Sequence, residues 1–308
     1  MISALGTGVL VMLVSLAQPA AQLLDGLPGV QRVEDVLIVD DVPYGDEHER
    51  QVMDVATPLA HEGLLPVVVI IHGGGWMQGD KATVRSFLPP TAGGGCLVVA
   101  PNYRLAPTDP APAAIHDVKL ILRWLDRHAE DLGIDRDRIA LMGFSAGGHL
   151  AALAGATSDT GALDPPGPKG MDRARPSVEC VVSIGGPMDL SAEIPAAAEG
   201  VVTAWAGPAQ PDGKGPRALY SPVHWIDPGD PPVLLIHGEA DTICPVGQVT
   251  IMQQACERAQ VPCETTVIPG APHMPPLATY AVPLMQFLDE HLDATIEAYV
   301  VKQAPAAE

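Results

Sequence analysis

Ala140-Leu141-Met142-Gly143-Phe144-Ser145-Ala146-Gly147-Gly148-His149-Leu150-Ala151 is the stretch that decides the fold. Its first part, with Ile139 before it, reads as a short apolar strand, and its second part as a helix of small residues. At the junction, Gly143-Phe144-Ser145-Ala146-Gly147 has the G-x-S-x-G pattern of an elbow that lifts a serine hydroxyl above the end of a sheet. So sharp a turn strains the serine backbone and leaves no room for neighbouring side chains, which explains Gly143, Gly147 and Gly148. The start of the helix points unpaired N–H groups at any negative charge that develops on a nearby carbonyl oxygen. Alone, the pattern also fits an ordinary glycine-rich turn, and the rest of the chain has to decide.

Working outward, Pro66 to His72 and Leu97 to Asn102 are continuous apolar runs, as expected for strands buried on both faces. Cys180 to Ile184, Val233 to His237 and Glu264 to Ile268 read as further strands after the elbow strand. Towards the N-terminus, Val33 to Val39 and Gln51 to Ala56 flank the turn-rich Asp41 to Asp46 and predict an antiparallel hairpin at a sheet edge. Thr83 to Leu88 fits a short helix. Pro112 to His128 has the clearest helical period, with Ala114, Val118, Ile121, Leu122 and Leu125 on one face and Lys119, Arg123, Asp126 and Arg127 facing away. Leu277 to Leu292 is an amphipathic closing helix. Strands alternating with helices predict an α/β fold with a mostly parallel central sheet flanked by helices. Residues 157 to 177 and 191 to 230 are rich in Pro, Gly and Ala and read as loops or a small insertion, with 191 to 230 near the site, and the tail after Val301 as loose.

With 308 residues the chain can bury a full core, and a single large domain over 22–308 is expected. Lys+Arg 17 against Asp+Glu 37 gives a formal charge of −20, which speaks against nucleic acid or an anionic membrane as partner. The apolar run from Ile2 to Ala17, ended by Gln18-Pro19, is short for a membrane span and has small residues where a signal peptidase cuts. Residues 1–21 therefore read as a signal peptide of a secreted or periplasmic protein, with a docking N-terminal helix as the competing reading. Cys96, Cys180, Cys244, Cys256 and Cys263 lack the paired short spacing of a zinc site, so no metal is expected. Cys256 and Cys263 are close enough in sequence for a local disulfide, which that compartment would permit.

A serine nucleophile needs a base, and the base a carboxylate to orient it. His72-Gly73-Gly74-Gly75-Trp76 follows the first buried strand directly. Its glycines let successive N–H groups converge, so Gly74, Gly75 and Ala146 are candidates for an oxyanion hole. Among the histidines, His149 is one helical turn past Ser145, His72 precedes the glycines, and His291 falls within the last helix. His273 instead follows the last strand, in Pro269-Gly270-Ala271-Pro272-His273, at the sheet edge where α/β sites form. His237-Gly238-Glu239-Ala240-Asp241 likewise leaves its strand and presents Asp241, with Glu239 as the substitute. The order Ser145, Asp241, His273 is the Ser…Asp…His order of α/β-hydrolases.

These motifs, with Gly79-Asp80-Lys81 and Asn102-Tyr103-Arg104-Leu105-Ala106-Pro107, resemble the esterase/lipase branch of the α/β-hydrolase superfamily. The hormone-sensitive-lipase-like and BD-FAE-type (feruloyl and acetyl ester) groups are the nearest. The resemblance runs from about Val36 to Leu292 and implies an α/β-hydrolase fold, a serine carboxylesterase and no cofactor. It assigns the nucleophile to Ser145, the acid to Asp241, the base to His273 and the oxyanion hole to Gly74, Gly75 and Ala146. The chain departs from the hormone-sensitive-lipase-like pattern in one respect: residues 22 to 32 are too few for that group's helical N-terminal cap. A small or absent cap favours the BD-FAE-type group, whose implied substrates are short-chain acyl esters, including acetyl or feruloyl esters of carbohydrates. A formamidase or peptidase using the same three residues is the alternative, since the same attack opens both bonds. A non-catalytic binding protein on this fold is a different class, disfavoured because the chain keeps every member of the set.

Overall fold

In the computed structural model, residues 29–303 are described apart from 167–176, 193, 211, 212 and 214. The expected signal segment 1–21 lies outside them. Nine strands form one sheet: β1 Val30–Val33, β2 Val36–Pro43, β3 Val52–Pro58, β4 Leu65–Ile71, β5 Leu97–Pro101, β6 Ile134–Phe144, β7 Val178–Ile184, β8 Val233–Gly238 and β9 Cys263–Ile268. Their order is β1-β2-β3-β5-β4-β6-β7-β8-β9. The pairs from β1 to β5 along that order are antiparallel, and every pair from β5 to β9 is parallel. The sheet is thus the mostly parallel one expected, but the predicted hairpin of β2 and β3 is not its edge. Val30–Val33 adds a strand outside it, mostly exposed and too short to announce itself by alternation.

The main helices are α1 Ala113–Arg127, α2 Ala146–Gly155, α3 Ala196–Ala206, α4 Gly247–Ala259 and α5 Ala281–Leu292. Strand β4 is buried along its whole length, and its side chains alternate between two cores. Val67, Val69 and Ile71 pack with Val118, Ile121, Leu150 and Met252, whereas Val68 and Ile70 pack with Leu88, Leu284, Phe287 and Leu288. Helices cover both faces, so the backbone polar groups of the parallel strands find their partners inside the sheet.

Three expectations need correction. Lys119, predicted on the solvent face of α1, is 4% exposed. Its stem packs inside while the ammonium donates to the carbonyls of Thr157 and Ala162 and to Asp164, so its charge is satisfied where period alone would expel it. The helix expected to close the chain starts at Ala281, after a single 3-10 turn at Leu277–Thr279, and a further helix, Ile296–Gln303, follows it where the tail is expected to be loose. Residues 191 to 230 are not simply loop, since they contain α3, whose Ala198, Val201, Val202 and Trp205 follow the i, i+3, i+4, i+7 spacing of a helix face. Cys256 and Cys263 are free thiols. Among the described residues no helix is long and apolar enough to cross a membrane.

Candidate active site

Strand β4 lies between β5 and β6, so the chain leaves β4 in one direction and returns on the other side of it. The loops after β4 and β6 therefore meet at a switch point, where parallel sheets form crevices. The loop after β4 is His72-Gly73-Gly74-Gly75-Trp76, and the loop after β6 is the elbow.

Ser145 sits at the elbow with φ 52° and ψ −118°, a conformation that L-residues rarely adopt. Its N–H donates to the Ile184 carbonyl at 2.7 Å, which fixes the turn against β7. Glycines here are obligatory by approach: a Cβ on Gly143 would run into the backbone of Gly147, and one on Gly147 into the carbonyls of Ile71 and His72. The Ser145 hydroxyl meets Nε2 of His273 at 2.8 Å, and Nδ1 of His273 meets Oδ2 of Asp241 at 2.6 Å. Proton donation can thus run from the serine to the imidazole while the other ring N–H is held by the carboxylate.

His273 belongs to the loop after β9, at the far edge of the sheet, and reaches Ser145 by crossing the ends of β8 and β7. Gly185 permits the crossing, because a Cβ there would come within 2.8 Å of the His273 carbonyl. The Asp241 and His273 loops are joined by Glu239 N–H to the Ile268 carbonyl at 3.0 Å and Ala240 N–H to the Ala271 carbonyl at 2.9 Å. Glu239, the substitute acid, instead accepts the Gly270 N–H at 2.9 Å on the exposed side. It does not touch His273.

Asp241 is strongly held. Its Oδ1 accepts the N–H groups of Ile243 and Cys244, both at 2.8 Å, and His237 Nε2 lies 3.2 Å from Oδ2. Burial pushes this carboxyl up, but hydrogen bonds from His237, His273, Cys244 and Ile243 outweigh it and hold it well below the usual carboxylate range. His237 was not singled out from the sequence, although it opens the same motif four residues before Asp241. Its Nε2–H is shared with the Cys244 carbonyl at 2.7 Å, so it braces the Asp241 turn.

Two further histidines lie close by in other roles. His72 stacks on Tyr103 with ring centroids 4.3 Å apart and donates from Nδ1 to the Gly73 carbonyl at 2.7 Å. His149 donates from Nε2 to the Tyr220 carbonyl at 2.6 Å. Burial lowers both imidazoles to about 4, so both are neutral near pH 7.

The loop after β4 turns through three consecutive left-handed residues, Gly74 at φ 119°, Gly75 at φ 59° and Trp76 at φ 57°. Such a conformation costs a tryptophan about 1–2 kcal/mol, so packing has to hold it. Among the hydrogen bonds of the described residues, none uses the N–H of Gly74, Gly75 or Ala146 to reach another part of the protein. These donors are left for a ligand oxygen. The Gly79-Asp80-Lys81 and Asn102-Tyr103 motifs anchor the loop from below. Lys81 pairs with Asp54 at 2.5 Å and Asp41 at 3.0 Å, and Asn102 bonds both Lys81 N–H and Asp80. Arg50 reaches the carbonyls of Gly79 and Tyr103 at 2.9 and 2.7 Å.

Ser145 and His273 open into a cavity of about 1020 Å³. One wall is helix α3 with Ile194 (Ala197, Ala198, Val201 and Val202), within the segment 191 to 230 that is expected near the site. The opposite wall carries Val84, Phe87, Phe144 and Tyr280, and Met77, Ile243 and Met274 stand exposed at the rim. Among the described residues no Asp, Glu, Lys or Arg lines the cavity. Among the described residues no group of three or more His, Cys, Asp and Glu side chains is placed to hold a metal ion.

The model of the BD-FAE family matches residues 53–256. Esterase LipC of Mycobacterium tuberculosis is 33% identical over 221 residues, covering 68% of this chain and 52% of that protein. The chain therefore spans about half the length of the curated relatives it matches. Among solved structures, a truncated carbohydrate esterase from gut microbiota is similar with a TM-score of 0.74 at 24% identity, over 87% of this chain and 99% of that one. A bifunctional GH43-CE protein of Bacteroides eggerthii is similar with a TM-score of 0.71 at 28% identity, over 84% of this chain and 38% of that one. The shared architecture is the α/β-hydrolase fold.

Proposed function

The chain belongs to the BD-FAE family, and from that premise we propose that it is a serine carboxylic-ester hydrolase for short-chain acyl esters, including acetyl or feruloyl esters of carbohydrates. The observation that carries the reading is the unbroken hydrogen-bond chain from Ser145 through His273 to Asp241, beside three unused backbone donors. In this mechanism the Ser145 oxygen attacks the ester carbonyl while Nε2 of His273 takes its proton. The carbonyl oxygen gains negative charge in front of the Gly74, Gly75 and Ala146 N–H groups. Asp241 stays ionised and steadies the imidazolium. The proton then passes from His273 to the departing alkoxide, leaving an acyl-serine that water opens by the same steps in reverse roles.

A short acyl group is supported by crowding beside the oxyanion donors. Val201 stands so near that a Cβ on Gly75 would come within 2.7 Å of its Cγ1. The wider remainder of the cavity takes the alcohol. Carbohydrate as that alcohol rests on the family and on the names of the two structural relatives, one a carbohydrate esterase. The test compares kcat/KM on p-nitrophenyl acetate, butyrate and palmitate, with acetate or ferulate release from acylated xylan fragments. Preference for the palmitate ester contradicts the short-acyl reading. Short-chain activity without release from xylan fragments removes the carbohydrate part alone. Turnover of formyl- or aminoacyl-anilides in preference to esters contradicts the ester assignment.

A further inference from the structure

Trp76 ends the glycine loop after β4, and its left-handed backbone is held from outside the motif. Its indole stacks on Trp205 with centroids 4.5 Å apart and planes 10° from parallel. His149 meets both rings edge-on, at 5.0 Å from Trp76 and 5.2 Å from Trp205. Trp76 and Trp205 are 3% and 1% exposed, and neither indole N–H has a hydrogen-bond partner. Face-to-face packing is therefore what fixes the pair, since no polar contact of either ring sets its angle.

Trp205 comes from α3, in the Ala-, Gly- and Pro-rich segment that none of the catalytic motifs includes. That helix is itself well fastened. Arg217, 4% exposed, bonds Glu199 at 2.6 Å, Thr203 at 2.9 Å and the Gly207 carbonyl at 3.0 Å. The Trp205 carbonyl accepts the Ala111 N–H at 2.9 Å. One turn earlier, Val201 presses on Gly75 itself. Trp205 does not line the cavity, whereas Trp76 does. The fixed helix and the loop of unused donors are thus joined through a stack of two aromatic faces, one layer behind the substrate.

We propose that Trp205 is a positioning residue for the oxyanion hole, setting the direction of the Gly74 and Gly75 N–H groups through its stack on Trp76. The assignment rests on the serine-hydrolase reading above. An oxyanion hole binds charge that exists only in the transition state, so its misalignment lowers kcat and leaves ground-state binding nearly untouched.

The test measures Trp205→Phe and Trp205→Ala on p-nitrophenyl butyrate across pH, with folding checked by near-ultraviolet circular dichroism. Because loss of one oxyanion donor costs about 10²–10³-fold, partial misalignment by Trp205→Ala should lower kcat roughly 10- to 100-fold with KM within about two-fold. Trp205→Phe keeps a flat face and should recover most of that loss. The shape of the pH profile should not move, because Ser145, His273 and Asp241 are untouched. Binding of a trifluoromethyl ketone, which fills the oxyanion hole, should weaken in step with kcat. If Trp205→Ala does not fold, Trp205→Leu, apolar but without a flat face, is read in the same way. Unchanged kcat in a folded variant overturns the proposal, and so does a rise in KM at constant kcat, which would make Trp205 a binding wall. Wild-type turnover that persists in Ser145→Ala would refute the serine-hydrolase reading instead, so the two failures are distinguishable.

Discussion

Replacing Asp241 by asparagine changes one atom type, and the structure dictates where that atom goes. Oδ1 accepts two backbone N–H groups, from Ile243 and Cys244, so this position must stay a carbonyl oxygen. The new NH₂ therefore occupies the Oδ2 position and faces His273 Nδ1 and His237 Nε2. A donor now opposes His273 Nδ1, which has to become the acceptor and move its proton to Nε2. That nitrogen then presents N–H to Ser145 and cannot take the serine proton. The wrong tautomer costs about 10⁴-fold in kcat, or about 5 kcal/mol of barrier. The NH₂ also opposes the Nε2–H of His237, and an unsatisfied buried donor costs about 1–3 kcal/mol of stability. Steady-state kinetics on p-nitrophenyl butyrate and urea unfolding measure the two effects separately. Activity within ten-fold of wild type in Asp241→Asn, with the loss appearing in Glu239→Gln, would refute the assignment of the acid.

Gly147→Ala should cost about 3 kcal/mol and most of the activity, because its Cβ meets the backbone carbonyls of Ile71 and His72, which cannot turn aside as a flexible side chain would; a wild-type urea midpoint would contradict this. Stability should fall on acidification. His72 and His149 take up protons near 6.5 when unfolded but only near 4 when folded, so the unfolded state binds more protons between these values. Their contribution is fully present above pH 6.5 and is lost as pH falls towards 4, by up to about 3 kcal/mol each at 1.36 kcal/mol per pH unit. His149→Gln, which keeps a donor for the Tyr220 carbonyl, should flatten that decline in Tm against pH, and an unchanged slope would count against the neutral buried imidazole.

Much of this architecture can be read directly from residues whose local chemistry admits one solution. The elbow is legible because backbone crowding at Gly143 and Gly147 excludes every other side chain. The loop bearing Asp241 is legible because it leaves the apolar, fully buried strand β8, and the loop bearing His273 because Pro269-Gly270-Ala271-Pro272 ends β9 abruptly. Helix α3 is hard to read although Ala198, Val201, Val202 and Trp205 have helical spacing: Gly200 interrupts the run and glycines and prolines crowd its flanks. Periodicity puts Lys119 on the solvent face because it counts every lysine as outward, whereas three oxygens hold its ammonium inside. His237 braces residues only four and seven positions further on, whereas Trp205 acts between segments distant in sequence. Trp205 meets Trp76 across more than a hundred residues, and no local pattern encodes that meeting.

The claim on which everything else depends is that Ser145 is the nucleophile. It is tested most directly by treating the folded protein with a fluorophosphonate and locating the adduct by peptide mass spectrometry. The expected result is one adduct per chain, on Ser145, with ester hydrolysis lost in proportion, no labelling of Ser145→Ala, and labelling of His273→Ala slowed by orders of magnitude. An adduct on another serine, or full ester hydrolysis by Ser145→Ala, would contradict it.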